Sequence, residues 1–250
     1  MDAIPFNLKK EALGRLRDTV VATRSAEVDE YGAMQWDEYK TDPNEYFFAG
    51  NREWKPQIMD FFDSLHRSGD KIVYLDICGT ADGEKIGADV SYGFSLQTPA
   101  NVATRPDKIL IEGDVFSRKD FNRLIETILK SGDLPAFITF EPYAGIGDQV
   151  SVSGPHVTGD ATVELERAKT RLAYDRLANN LRKIIEMLRP GGFLLVGEFF
   201  RDSQYLEDLA PRIPAMLRAI AEENGCSFEE SNLDRYLIRK TSDTKTLLHE

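Results

Sequence analysis

Leu181-Arg182-Lys183-Ile184-Ile185-Glu186-Met187-Leu188-Arg189-Pro190-Gly191-Gly192-Phe193-Leu194-Leu195-Val196 reads as a helix that stops, turns tightly and re-enters as a buried strand. Proline lacks the N–H that would continue the helix, and glycine supplies the left-handed backbone that caps its end. Further strands are expected upstream at 71–77, 92–96, 109–112 and 136–140, the strand of the quoted passage runs over 193–198, and helices are expected at 118–130, 160–188 and 203–224. Short apolar runs alternating with helices predict βαβ units, a parallel sheet and helices on both faces. The chain closes differently. Runs 226–230 and 235–239 are separated by Ser231-Asn232-Leu233-Asp234, a loop length suited to an antiparallel hairpin.

Ahead of the sheet, residues 8–23 place Leu8, Ala12, Leu13, Leu16, Val20 and Val21 at helical spacing, and this helix is expected to pack on the main domain. Pro56 opens a second helix through Ile58, Met59, Phe61, Phe62 and Leu65. Between them, residues 25–55 are loop-like but contain Tyr31, Trp36, Tyr39, Tyr46, Phe47, Phe48 and Trp54, more rings than a polar linker would hold. Residues 36–54 therefore suggest a lid, or equally a patch packed on the sheet or at a subunit interface. The resulting division is 1–69 as a helical and aromatic extension, 70–240 as the α/β domain and 241–250 as a polar tail.

Composition narrows the function. The net charge of −11 repels phosphate backbones and anionic lipid, which argues against nucleic acid and favours small-molecule or protein substrates. The basic run Arg167, Lys169, Arg171, Arg176, Arg182 and Lys183 is interleaved with Glu164, Glu166, Asp175 and Glu186, the pattern of a solvated helix face. Two cysteines, Cys78 and Cys226, suggest no disulfide framework and suit a reducing, cytoplasmic compartment. No window approaches the roughly 20 apolar residues needed to span a bilayer, and residues 1–10 lack the apolar core of a secretion signal. His66, His156 and His249 are too scattered to hold a metal, so no metal is expected. His156, in a Gly-Pro-His loop, is suited to accept a proton from a substrate hydroxyl but reads more simply as an exposed loop residue.

Val73-Tyr74-Leu75-Asp76-Ile77-Cys78-Gly79-Thr80-Ala81-Asp82-Gly83 is an apolar strand ending in an acid and entering a glycine-containing turn. Ligands of open parallel sheets bind beyond such strand ends, where glycine lets the backbone approach them. The stretch resembles the first motif of the class I S-adenosylmethionine-dependent methyltransferases, D-x-G-x-G-x-G. With one residue deleted, Asp76 and Cys78-Gly79-Thr80 match the D-L-G-C-G-T-G version; without a gap, Cys78 takes the first glycine's position. Residues 181–196 resemble the same family's passage into its fifth strand, and the closing hairpin matches its antiparallel seventh strand.

The resemblance covers residues 70–240 and implies a seven-stranded, mostly parallel, doubly wound sheet with an antiparallel C-terminal hairpin. It also implies S-adenosylmethionine as cofactor and methyl transfer to a nitrogen or oxygen acceptor. Gly79 stands only about eight residues before the next apolar run, so the first crossover helix is expected to be short or irregular. The ribose is received in the family by an acid after the second strand. Ser95 takes that position if the strand is Tyr92-Gly93-Phe94-Ser95-Leu96, and Asp89 if it is Ile86-Gly87-Ala88-Asp89, although the latter leaves less than the dozen or so residues a parallel crossover needs.

Ile109-Leu110-Ile111-Glu112-Gly113-Asp114-Val115-Phe116 resembles the third strand, which places Asp114 and Val115 against the adenine. Phe137-Ile138-Thr139-Phe140-Glu141-Pro142-Tyr143 loosely resembles the D/N-P-P-Y/F motif, which makes Glu141 and Tyr143 the candidate catalytic pair. A methyltransferase-like binding or scaffold protein without turnover is the alternative, motivated by Cys78 and the missing ribose acid. A nicotinamide-dependent oxidoreductase is disfavoured, since no G-x-G-x-x-G occurs.

Overall fold

The computed structural model describes residues 5, 7–12, 53–79, 81, 83–95, 105–115, 117–140, 160–197, 212–231 and 235–241. Seven strands among them form one sheet in the order β3-β2-β1-β4-β5-β7-β6. They are β1 Val73–Ile77, β2 Val90–Ser95, β3 Lys108–Glu112, β4 Phe137–Phe140, β5 Phe193–Val196, β6 Cys226–Glu230 and β7 Tyr236–Lys240. The first five run parallel, and β7 lies antiparallel to both β5 and β6. This is the mostly parallel sheet with a terminal antiparallel hairpin that the class I methyltransferase resemblance implies.

After β3 the chain returns to the other side of β1, so the strand order reverses between β1 and β4. A crevice opens at such a reversal, beyond the carboxyl ends of the strands.

Side-chain alternation sends successive residues to opposite faces. Val73, Leu75, Ile77, Ile138, Phe140, Leu194 and Val196 face one side, covered by helices α2 (Arg118–Ser131), α3 (Asp160–Met187) and α4 (Arg212–Glu223). Tyr74, Phe137, Phe193 and Leu195 face the other, where helix α1 (Lys55–Ser68) lays Ile58, Phe62 and Leu65 against them. Pro56 stands in α1's first turn as expected, and Gly69, with φ 75°, ends it. Trp54, 4% exposed, is part of this second core, so one ring of the aromatic segment is packing rather than lid. Trp36 lies outside the described residues.

The crossover from β1 to β2 departs from a doubly wound pattern. Among the described residues of 78–89 there is no α-helix, only a single 3-10 turn, Gly83–Ile86. This segment lies flat on the sheet because small residues let it. A Cβ on Gly83 would stand 2.4 Å from the Ser91 hydroxyl, and one on Gly93 would stand 3.1 Å from the Ala81 Cβ. Ile86 then joins the α1 core.

The helix-to-strand passage behaves as its residues dictate. Helix α3 ends at Met187, and Gly191 adopts φ 82°. Gly191 N–H donates to the Lys240 carbonyl at 2.8 Å, and Arg189 N–H donates to that of Pro135 at 2.8 Å. The turn thereby ties β4, β5 and β7 together at the amino edge. Lys240 Nζ adds donations to the Ile185 and Glu186 carbonyls at 3.1 and 2.9 Å, covering orphan acceptors at the α3 terminus. Arg189 also pairs with Asp70 at 2.8 Å. Hydrogen bonds from Ser68 and then Arg189 hold the Asp70 carboxyl below its ordinary range.

Helix α3 is longer than the sheet needs. At 1.5 Å per residue its 28 residues span about 42 Å, against about 13 Å for a four-residue strand. Asn180 Nδ2 donates to the Val115 carbonyl at 2.5 Å, which fixes Asn180 at the level of the carboxyl rim. The helix N-terminal to Asn180 therefore projects beyond the rim. Residues 7–12, also helical, pack there, with Leu8 and Ala12 on Ala168 and Leu172. The rest of the expected 8–23 helix lies outside the described residues.

Gly192 offers a direct test of the passage, because a Cβ there would stand 2.8 Å from the carbonyls of Ala136 and Arg189. Gly192→Ala is expected to lower unfolding free energy by about 1–3 kcal/mol, as overpacking does. Denaturant unfolding checks it, and an unchanged midpoint would contradict the close packing described.

Candidate functional site

Asp76 is the next-to-last residue of β1, 7% exposed, in register with Thr139 on β4 across the strand-order reversal. An ionised carboxylate out of water needs donors. Thr139 Oγ1 donates to its Oδ1 at 2.8 Å, and the Ala81 N–H donates to Oδ2 at 3.2 Å. The turn passes directly over this carboxylate: a Cβ on Gly79 would lie 2.0 Å from Asp76 Oδ2. Only glycine fits there.

The same turn places two non-glycine residues in left-handed backbone, Cys78 at φ 72° and Ala81 at φ 62°. That conformation costs an L-residue about 1–2 kcal/mol and clusters at ligand sites. Cys78 N–H donates to the Phe94 carbonyl at 2.6 Å, which locks the turn to β2. The backbone at Cys78 is thus one that glycine adopts freely, which favours the ungapped reading of the first motif. Thr80 lies outside the described residues.

Ser95 ends β2 at the carboxyl rim, and its carbonyl accepts from Gly113 N–H at 2.8 Å. Asp89 sits at the opposite edge of the sheet. Its Oδ2 accepts from Ile72 N–H at 2.8 Å and stands 3.7 Å from His66 Nε2. A residue so placed cannot receive a ligand at the strand ends, and the reading with Asp89 as ribose acid is set aside.

Asp114 follows β3 on the rim and is half-buried, while Val115 is buried in the main core. Ser117 caps α2 by accepting from Asp120 N–H at 3.3 Å, and Asp120 in turn accepts from Asp114 N–H at 3.3 Å. These bonds fix the loop. Arg176 of α3 faces the same place: burial pushes its guanidinium pKa down, the Asp114 carboxylate draws it back up, and Arg118 lowers it again.

Within the basic run on α3, Arg176 departs from a solvated face, while Arg182 and Lys183 make exposed contacts. Arg182 reaches Glu223 on α4 at 3.1 Å, and Lys183 reaches Asn122 on α2 at 2.8 Å. Sequence reasoning missed Arg176, whose only signal was its place one helical turn before the buried Asn180.

Glu141 and Tyr143 lie outside the described residues, as do His156 and His249. Their strand is described to its end: Phe140 is buried, and its carbonyl accepts from Gly197 N–H at 2.9 Å. His66 lies near the end of α1, away from the rim. Among the described residues no cluster of three or more metal-binding side chains occurs, and no helix is long and apolar enough to cross a membrane.

The fold is similar to that of several solved methyltransferases. The plantazolicin methyltransferase BpumL, solved with a pentazolic desmethylPZN analog and S-adenosylhomocysteine, is 11% identical at a TM-score of 0.47, over 95% of this chain and 100% of BpumL. The N-methyltransferase NodS from Bradyrhizobium japonicum WM9, solved with S-adenosylhomocysteine, is 14% identical at 0.42, over 88% and 97% of the two chains. MycE, a methyltransferase of the mycinamycin biosynthetic pathway solved with Mg and S-adenosylhomocysteine, is 11% identical at 0.44 over 77% of this chain. This chain covers 51% of MycE, about half its length. No family model and no curated protein matches the sequence. Likeness at this level assigns no chemistry.

The left-handed turn yields a prediction free of side-chain size. Cys78→Gly and Cys78→Ala both remove the thiol, so the difference between them isolates the backbone. The glycine variant is expected to be more stable by about 1 kcal/mol, measured by denaturant unfolding; equal stability would contradict a left-handed Cys78.

Proposed function

We propose that this chain is an S-adenosylmethionine-dependent methyltransferase acting on a nitrogen or oxygen of a small molecule or protein side chain. The carrying observation is the carboxyl end of β1 at the strand-order reversal, where a turn with two left-handed residues crosses the buried Asp76 carboxylate. Such a rim suits a ligand with a nucleoside at one end and a charged amino-acid tail at the other.

The donor set fits in part. Asp114 offers a carboxylate to an exocyclic amino group beside the apolar Val115, Ser95 offers a hydroxyl to a ribose, and the Asp76-Cys78-Gly79-Thr80 turn offers backbone to the remaining tail. When bound, the cofactor supplies a methyl group already activated on a sulfonium. The protein's work is then alignment, exclusion of water and removal of a proton where the acceptor carries one. Glu141 is assigned the acceptor proton or its hydrogen bond, and Tyr143 the apolar wall that holds the acceptor in line. Residues 7–12, packed on the projecting half of α3, support the reading of the N-terminal extension as a lid. Net charge −11 supports an acceptor other than nucleic acid, and two free cysteines support a cytoplasmic setting.

A second reading has its own observation. Among the described residues the β1–β2 crossover holds only the 3-10 turn Gly83–Ile86 and no α-helix whose N-terminus could face the ligand, so a binding or scaffold protein without turnover is the competing proposal. Calorimetric titration with S-adenosylmethionine and S-adenosylhomocysteine separates the two. About micromolar affinity, weakened about tenfold by Asp114→Ala through loss of a charged hydrogen bond, is expected; no binding would favour the scaffold. Glu141→Gln and Tyr143→Phe are expected to slow turnover while leaving S-adenosylhomocysteine affinity unchanged, and a loss of affinity instead would remove both from the acceptor side.

A further inference from the structure

Behind the carboxylate of Asp76 a polar path runs into the core. Thr139 Oγ1 lies 2.8 Å from Asp76 Oδ1 and 2.5 Å from the Tyr74 hydroxyl, all three buried on one face of β1 and β4. The proton order follows from valence. Thr139 Oγ1 gives its single proton to Asp76 Oδ1, so the Tyr74 hydroxyl must donate to Thr139.

Tyr74 is itself clamped. Its ring stacks on Phe137 at a centroid distance of 5.6 Å and an interplanar angle of 25°, and Phe137 meets Phe62 edge-on at 6.2 Å. The orientation of the Thr139 hydroxyl is therefore set from the rigid α1 core, and it acts on the carboxylate that receives Ala81 N–H and lies under Gly79.

A valine at position 139 would pack as well on a strand and is the commoner choice in a buried β position. The hydroxyl stands in an otherwise apolar strand, Phe137-Ile138-Thr139-Phe140, in contact with the one acid of β1.

We infer that Thr139, oriented by Tyr74, is a positioning residue for the Asp76 turn: its donated hydrogen bond fixes the carboxylate that holds the turn bearing the left-handed residues Cys78 and Ala81 in its ligand-receiving form. The consequence for cofactor affinity rests on the methyl-donor reading above; the consequence for the turn itself does not.

Cys78 reports on the turn directly, since it is half-buried and in no disulfide. With Cys226→Ser as background, the rate of Cys78 modification by a small aromatic disulfide is measured on the full chain without cofactor. Thr139→Val is expected to raise that rate about tenfold, the effect of one hydrogen bond to a charged group, and to weaken S-adenosylhomocysteine binding by a similar factor. Thr139→Ser, which restores the donor, is expected to match the parent in both. Gly192→Ala controls for general destabilisation, because its strain sits at the far edge of the sheet, and it is expected to leave the Cys78 rate unchanged.

A parent-like Cys78 rate in Thr139→Val, or an equal rise in Gly192→Ala, would overturn the inference. Should Thr139→Val fail to fold, Tyr74→Phe carries the same test through loss of the orienting donor, with a smaller rise expected and a parent-like rate overturning it. Absence of S-adenosylhomocysteine binding by the parent would sink the methyl-donor reading while the thiol rates still decided the role of Thr139.

Discussion

A carboxylate held out of water beneath a glycine is the constraint from which the rest of the site follows. Asp76 ends up there because β1 is buried on both faces and the turn after it folds back over the sheet. Burial demands donors, and they come from two directions, the Thr139 hydroxyl across the strand-order reversal and the Ala81 backbone within the turn. Satisfying the second of these bends the chain into left-handed backbone at Cys78 and Ala81. Strain in the turn and charge in the core are thus two sides of one arrangement.

The sheet around it is asymmetric in its cover. Helices α2, α3 and α4 pack the face bearing Leu75, Ile138 and Leu194, where most of the apolar burial accumulates. On the other face α1 and the Gly83–Ile86 turn cover Tyr74, Phe137 and Phe193, and the thin crossover leaves the approach to β2 filled by backbone rather than by helix. Length compensates elsewhere. The half of α3 that overshoots the rim provides a wall that a shorter helix could not, and residues 7–12 lean on it.

Most of the architecture was legible because it rests on local rules. Pro190 stops α3, while the left-handed Gly191 donates to the Lys240 carbonyl instead of capping the helix, whose last acceptors are met by Lys240 Nζ; the runs 226–230 and 235–239 reproduce β6 and β7 to within a residue. Helix α2 was equally plain at 118–130, and the structure adds Ser117 as its cap and buries Phe121, Leu124 and Ile128. Other features depend on contacts far apart in sequence and left little local trace. Residues 78–89 gave no period that distinguishes a 3-10 turn from a loop, and their flatness depends on Gly93 and Ser91 in the next strand. Arg176 resembles its charged neighbours until α3 is docked beside Asp114. Trp54 read as one ring among seven, although its place just before Pro56 puts it on the buried side of α1.

Amide hydrogen exchange with and without S-adenosylhomocysteine asks most directly whether this rim is the ligand site. The account expects slower exchange confined to the turn at 78–81, the end of β2 at Ser95 and the loop at 113–117, with β6 and β7 unaffected. Protection spread evenly over the sheet, or found only at its amino edge around His66 and Asp89, would contradict it.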